Sequence, residues 1–184
     1  MLPLLVPFLL AGPPGTTDPP RQDGFHVDTT TGALVTSAAN DRGWSSFTGV
    51  ALRTDISYRY LIGERWRFGP KFVTSVSFAS MTAEDGTTSS AGHGQLAAGA
   101  EFEWEVTSTS SVPLSLSFST ILMQRTVYLG PEFSIGFEQL VPARDVYRRL
   151  GIPFRFTAIP LFGMGLGDPG YMLMVTLGFS GGVP

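Results

Sequence analysis

From Phe25 onward, large apolar side chains recur at every second position, in short segments separated by turn residues. A period of two predicts β-strands with two unlike faces. Residues 48–60 show it most clearly. Val50, Leu52, Thr54, Ile56, Tyr58 and Tyr60 share one face, and Ala51, Arg53, Asp55, Ser57 and Arg59 the other. The pattern then returns along the chain. Trp66, Phe68, Phe72, Thr74, Val76 and Phe78 oppose Arg65, Arg67, Lys71, Ser75 and Ser77. Leu96, Ala98, Ala100, Phe102, Trp104 and Val106 oppose Gln95, Gly99, Glu101, Glu103 and Glu105. Leu114, Leu116 and Phe118 oppose a serine ladder at 115, 117 and 119. Phe133, Ile135 and Phe137 oppose Glu132, Ser134, Gly136 and Glu138. Phe154, Phe156 and Ala158 oppose Arg155 and Thr157, and Tyr171 to Phe179 oppose Met172 to Ser180. A weaker strand is expected at residues 25–37. These make eight segments, and only residues 143–150 read as a competing helix-period stretch.

The relative size of the two faces decides which one turns inward. The apolar face carries the Phe, Trp, Tyr, Leu and Ile; the other carries mostly Gly, Ser, Thr and charge. An eight-stranded barrel is just wide enough inside to be filled by its own side chains. Packing the aromatic set inside would overfill it. Turned inside out, the aromatics face lipid and the small and charged residues fill the lumen. The expected fold is therefore all-β: an eight-stranded antiparallel up-and-down transmembrane β-barrel over residues 25–182. With the first strand starting on the periplasmic side, Tyr58, Tyr60, Trp66, Phe68, Trp104, Phe137, Phe154 and Phe179 fall at one rim. That is where an interfacial aromatic girdle belongs. Trp44, Phe78, Phe162 and Tyr171 would form the other. Residues 61–65 and 107–112 read as short connections, and 81–92 as a long polar loop.

Composition agrees with this picture. Of 184 residues, 43% are hydrophobic and only 15% charged, against about 25% charged in ordinary soluble domains. No run of 18 apolar residues offers a spanning helix. The net charge of -3 speaks against nucleic acid as a partner, which would call for a basic patch. The absence of cysteine excludes disulfides and thiol chemistry. Residues 1–12, MLPLLVPFLLAG, have the length of a signal-peptide core, although no Lys or Arg precedes them. The alternative is an apolar tail on a mature chain. Residues 13–24 read as a Pro/Gly-rich linker.

The stretches GVALRTDISYRYLIGERWRFGPKF, TVYLGPEFSIGFEQL and YMLMVTLGFSGG carry strand and tight-turn patterns. In these the chain resembles the small eight-stranded outer-membrane barrels of the OmpA/OmpX/OmpW type. The resemblance implies a place in the outer membrane of a Gram-negative bacterium, with the lipid bilayer as partner and no cofactor. Family members end on an aromatic residue; here Phe179 is followed by Ser180 to Pro184.

The inward face is the candidate site. Arg53, Asp55, Arg59, Arg65, Arg67, Lys71, Glu101, Glu103, Glu105, Glu132, Glu138 and Arg155 are expected to form a lumen network of six acids and six bases. Buried charge must be paired, so the expectation is a structural Arg/Glu plug rather than a catalytic centre. Higher up, Val73, Ile121, Met123, Ile159, Leu161, Met172 and Met174 are inward by alternation. They would line an apolar pocket for a lipid, a small apolar ligand or a partner protein. The expected role is structural or interaction-based, with minor transport of small or apolar molecules second. One alternative is a lipid-modifying hydrolase at the rim, with His93 as base near Ser89 and Ser90. Another is a soluble lipocalin-like carrier with the faces reversed. Neither His26 nor His93 shows acids at metal-ligand spacing in the sequence, so no metal site and no enzyme activity are expected.

Overall fold

The computed structural model describes residues 23–40, 43–82, 85–123, 126–141, 149–163 and 169–183. The expected signal segment, most of the linker and residues 143–148 of the helix-period stretch lie outside them, as does the Trp44 side chain; residues 149 and 150 of that stretch begin a strand instead. Eight strands follow in order. They are β1 (Gly24–Asn40), β2 (Gly43–Leu61), β3 (Trp66–Thr82), β4 (Thr88–Thr107), β5 (Ser110–Met123), β6 (Thr126–Val141), β7 (Arg149–Gly163) and β8 (Gly170–Val183). Each pairs antiparallel with its chain neighbour, and β8 closes onto β1. Closure leaves no unpaired strand edge, which a sheet in hydrocarbon requires.

The register can be followed around the wall through residues that face each other on neighbouring strands. Leu140 leads through Gly151, Ser180, Asp28, Asp55, Val73, Ala97 and Ser119 to Gly130. The circuit returns to β6 ten residues from where it began. This stagger tilts the strands, as closure of a barrel demands.

The faces are those the alternation predicts. Phe72, Phe78, Leu116, Phe118 and Phe133 are exposed, while their sequence neighbours point inward and are buried. Among the described side chains, every Asp, Glu, Lys and Arg on a strand is buried. The soluble carrier with reversed faces is thereby corrected: the large residues are outside. Aromatics gather on the outer wall at the end where β1 starts and β8 finishes, here called the near end. Phe25 meets Tyr58 edge-on at 5.1 Å, and Tyr58 meets Tyr60 at 4.7 Å. Trp66 stacks on Phe102 at 4.8 Å and on Trp104 at 5.5 Å.

Strands run further than the periodic segments. β5, β6 and β7 reach past the expected 114–119, 132–138 and 154–158. The cause is that Ile121, Met123, Ile159 and Leu161 are apolar on the inner face too, so alternation loses contrast while the backbone ladder continues. The long loop expected at 81–92 shrinks for the same ladder: Thr82 already pairs with Thr88. The turn is closed by Asp85, whose Oδ1 accepts from Thr87 N at 2.9 Å and Thr87 Oγ1 at 2.6 Å. Gly86 sits there at φ 79°, a conformation that favours glycine. At the near end, Ile62 N donates to Trp66 O at 3.0 Å across the β2–β3 turn. Arg65 in that turn is exposed.

Two outcomes test this architecture. In lipid vesicles, Phe72→Cys should react with a lipid-phase thiol probe and Ser75→Cys should not; the reverse would reject the assignment of faces. At Gly69 an added Cβ would lie 1.6 Å from Tyr58 O. Gly69→Val should therefore cost more than the ~1–3 kcal/mol of ordinary overpacking, seen as loss of the folded band in unheated gel samples.

Candidate functional site

The lumen divides into three levels, each built by parity along the strands. At the far end, Leu34, Phe47, Ala51, Ala79, Ile121, Met123, Tyr128, Ile159, Leu161, Met172 and Met174 form one buried apolar cluster. Six of the seven apolar positions expected from the sequence belong to it. Val73 is also fully buried but lies outside that cluster. Phe47 and Tyr128 were legible only by extending strand parity beyond the periodic segments, and Leu34 only by applying it to the weak first strand. Beside the cluster, Ser77 Oγ lies 3.1 Å from His93 Nδ1, and Phe47 meets the His93 ring edge-on at 5.3 Å.

That placement corrects the rim reading of His93. On β4 the odd positions point inward, so His93 is buried with Ser77, whereas Ser90 is exposed on the outer face. The Ser89 side chain lies outside the described residues. Glu101, further along the same strand, is bound by Lys71, Arg59 and Arg155 instead.

Below the apolar cluster lies a shelf of hydrogen-bonding groups. Ser75 Oγ donates to Gln95 Oε1 at 2.7 Å. Gln95 Nε2 donates to Ser119 Oγ at 2.8 Å, and Ser119 Oγ donates to Glu132 Oε2 at 2.9 Å. Glu132 also takes Arg53 Nη2 at 2.5 Å, while the same guanidinium grips Asp55 at 2.8 Å.

The third level is ionic. Lys71 Nζ lies 2.9 Å from Glu101 and 3.2 Å from Asp55. Arg155 reaches Glu101 at 2.9 Å and bonds the Asp28 carboxylate through Nε at 3.0 Å. Arg59 pairs with Glu101 at 2.5 Å, with Glu103 at 3.0 Å and with Glu138 at 3.6 Å. Arg67 pairs with Glu103 at 3.4 Å and with Glu105. Several of these contacts cross the barrel axis. Arg53 and Arg59 of β2 meet Glu132 and Glu138 of β6, the strand on the opposite wall. Arg155 of β7 meets Glu101 of β4.

Eleven of the twelve charged positions expected from the sequence are buried together in this network. Arg65 is the correction: the chain turns at 62–65 before β3 begins at Trp66, so its side chain stands in solvent. Asp28 and His26 were missed because β1 has a weak apolar face. Both are buried, and His26 Nε2 lies 2.8 Å from Asp28 Oδ1 and 3.3 Å from Glu138 Oε1. Removing Arg65 and adding Asp28 changes the balance. Among the described side chains, the buried set holds seven carboxylates (Asp28, Asp55, Glu101, Glu103, Glu105, Glu132 and Glu138) against five basic groups (Arg53, Arg59, Arg67, Lys71 and Arg155). The expected six against six becomes seven against five among the described side chains, which do not include that of Arg149 on β7.

No protein-family model and no curated protein sequence matches the chain. Among solved structures, it is similar to the outer membrane protein OprG from Pseudomonas aeruginosa. The two share 12% identity over 90% of this chain and 99% of that one, at a TM-score of 0.50. Neisserial surface protein A is 14% identical over 85% of this chain and 95% of that one, at a TM-score of 0.47. Ail of Yersinia pestis is 11% identical over 87% and 99%, at a TM-score of 0.38. The chain has the fold of the small eight-stranded outer-membrane β-barrels, with an apolar outer wall and the described strand charges enclosed.

Proposed function

We propose that this outer-membrane barrel is a closed wall element, not an open pore, with a structural or interaction role and a lumen plugged by its own side chains. The observation that supports this is the set of ion pairs crossing the axis between β2 and β6 and between β7 and β4. Groups that meet across a diameter leave no continuous water path at that level. The carboxylates and guanidiniums involved, Arg53, Arg155, Glu101, Glu103, Glu132 and Glu138, are fully enclosed. The plug is structural. A buried pair is weak evidence for net stability, but removing one partner strands the other in low dielectric.

The apolar cluster at the far end supports a second, lesser role. Its Met172 and Met174 are adaptable side chains, and a small apolar molecule or the apolar segment of a partner protein would find matched surroundings there. Such a guest must displace side chains that are now packed, which makes slow, minor transport the expectation. Met172→Arg should abolish association of apolar probes with the folded barrel, and unchanged association would remove this role.

Conductance tests the main reading. The folded protein in a planar bilayer should show no steady single-channel current, and a stable open channel would reject the plug. Arg155→Ala should leave Asp28 and Glu101 without a shared cation, and the cost of breaking a buried pair is about 3–5 kcal/mol. Its gel-shift unfolding temperature should fall, and ion flux through vesicles carrying it should exceed that of the parent protein.

A further inference from the structure

We propose that His26, Asp28 and Glu138 form a binding site for a divalent transition-metal ion of the Zn2+ type, inside the near end of the lumen. His26 and Asp28 are two apart on β1, so both point inward, and Glu138 reaches them from β6. One donor atom from each residue lies within 4.8 Å of the other two. The three side chains are buried, at 3%, 0% and 0% exposure.

A second observation points to a ligand in the same place. His26 Nε2 and Asp28 Oδ1 are both enclosed, and neither has a hydrogen-bond partner. They stand 2.8 Å apart, close enough for charge contact but without hydrogen-bond alignment. The far oxygen of Asp28 is taken by Arg155, so the near one is left aimed at the imidazole. Charge agrees: Asp28 and Glu138 set two carboxylates against one imidazole, a setting that attracts a cation.

The surroundings are shaped for the carboxylate. An added Cβ at Gly151 would lie 2.6 Å from both Glu138 Oε1 and Ser180 Oγ, so the glycine leaves space that a side chain would fill. The Ser180 hydroxyl donates to Glu138 Oε1 and orients it from outside the site. One imidazole nitrogen with two carboxylate oxygens suits Zn2+ and its neighbours better than Mg2+ or Ca2+, which prefer all-oxygen sets. Bonds of about 2.0–2.2 Å in a tetrahedral site place ligand atoms roughly 3.3 Å apart. His26 and Glu138 already have that separation; Asp28, 2.8 Å from the imidazole nitrogen, would draw back to admit the ion, with water in the fourth position. Bound metal would tie β1 to β6 across the closing strands β7 and β8, and so stabilise the folded barrel by linkage.

The test uses the full chain, folded in detergent without an affinity tag and stripped with a chelator. Zn2+ is titrated calorimetrically, and Co2+ serves as a visible-absorption probe of coordination. One ion per chain is expected, with a four-coordinate Co2+ band and a higher unfolding temperature in Zn2+. His26→Gln should remove the Co2+ band, Ser180→Ala should weaken Zn2+ binding about 10–100-fold, and His93→Gln should change neither. Gel-shift migration checks that each variant is folded. Should Ser180→Ala not fold, the comparison of His26→Gln with His93→Gln still decides. No stoichiometric Zn2+ binding by the parent protein, or equal binding by folded His26→Gln, would overturn the site.

Discussion

Everything in this barrel follows from one requirement: in hydrocarbon, each backbone N–H and C=O must be paired inside the protein. Closure of β8 onto β1 meets it, and closure fixes a wall with only two sides. Period-two side chains then leave no intermediate environment. A residue faces lipid or it faces the lumen. A charge on the outer wall at the midplane would cost ~2–4 kcal/mol, so the described strand charges are driven inward as a group. Their pairing is a consequence of the narrow bore, since charges sent to one side of a small closed wall can hardly avoid one another.

The enclosed charges form linked clusters rather than isolated pairs. Glu101 touches Lys71, Arg59 and Arg155, and Arg155 in turn holds Asp28. Asp55 joins Lys71 to Arg53, which reaches Glu132. β1, β2, β3, β4, β6 and β7 are thereby coupled through side chains as well as through the backbone ladder. Such a network specifies register, because a one-residue slip of any strand would send its charges to the lipid side. The serine ladder of β5 complements it. Ser115 and Ser119 supply hydroxyls to Lys71 and Glu132 without adding bulk or charge.

Sequence pattern carried the wall almost completely, because the outer face must be apolar and the inner face of β2, β3 and β4 is visibly not. Where the inner face is apolar as well, as at Ile121, Met123, Ile159 and Leu161, both faces read alike and the strand ends disappeared from view. The site was legible by type and partly by member. Eleven charged positions were identified by parity alone, since parity needs no knowledge of distance. Arg65 was misplaced because parity stops at a turn and nothing in LIGERW fixes where the turn begins. His26 and Asp28 were lost for the opposite reason. The outer face of β1 includes Thr29, Thr31 and Ala33, too polar and small to announce a strand, so its inward residues carried no label. The link from His26 to Glu138 spans β1 to β6 and has no local signature at all.

The convergence of two carboxylates on one imidazole is therefore the informative outcome of closure. Each carboxylate also meets a guanidinium, Asp28 that of Arg155 and Glu138 that of Arg59. His26 lies against Asp28 on its own strand and, across the closing strands, against Glu138. Gly151 and Ser180 on the adjoining strands make room for that carboxylate and hold it. Four strands thus contribute to a single point at the near end, where the first and last strands of the barrel also meet. A group bound there would act on the closure itself, the contact on which the rest of the wall depends.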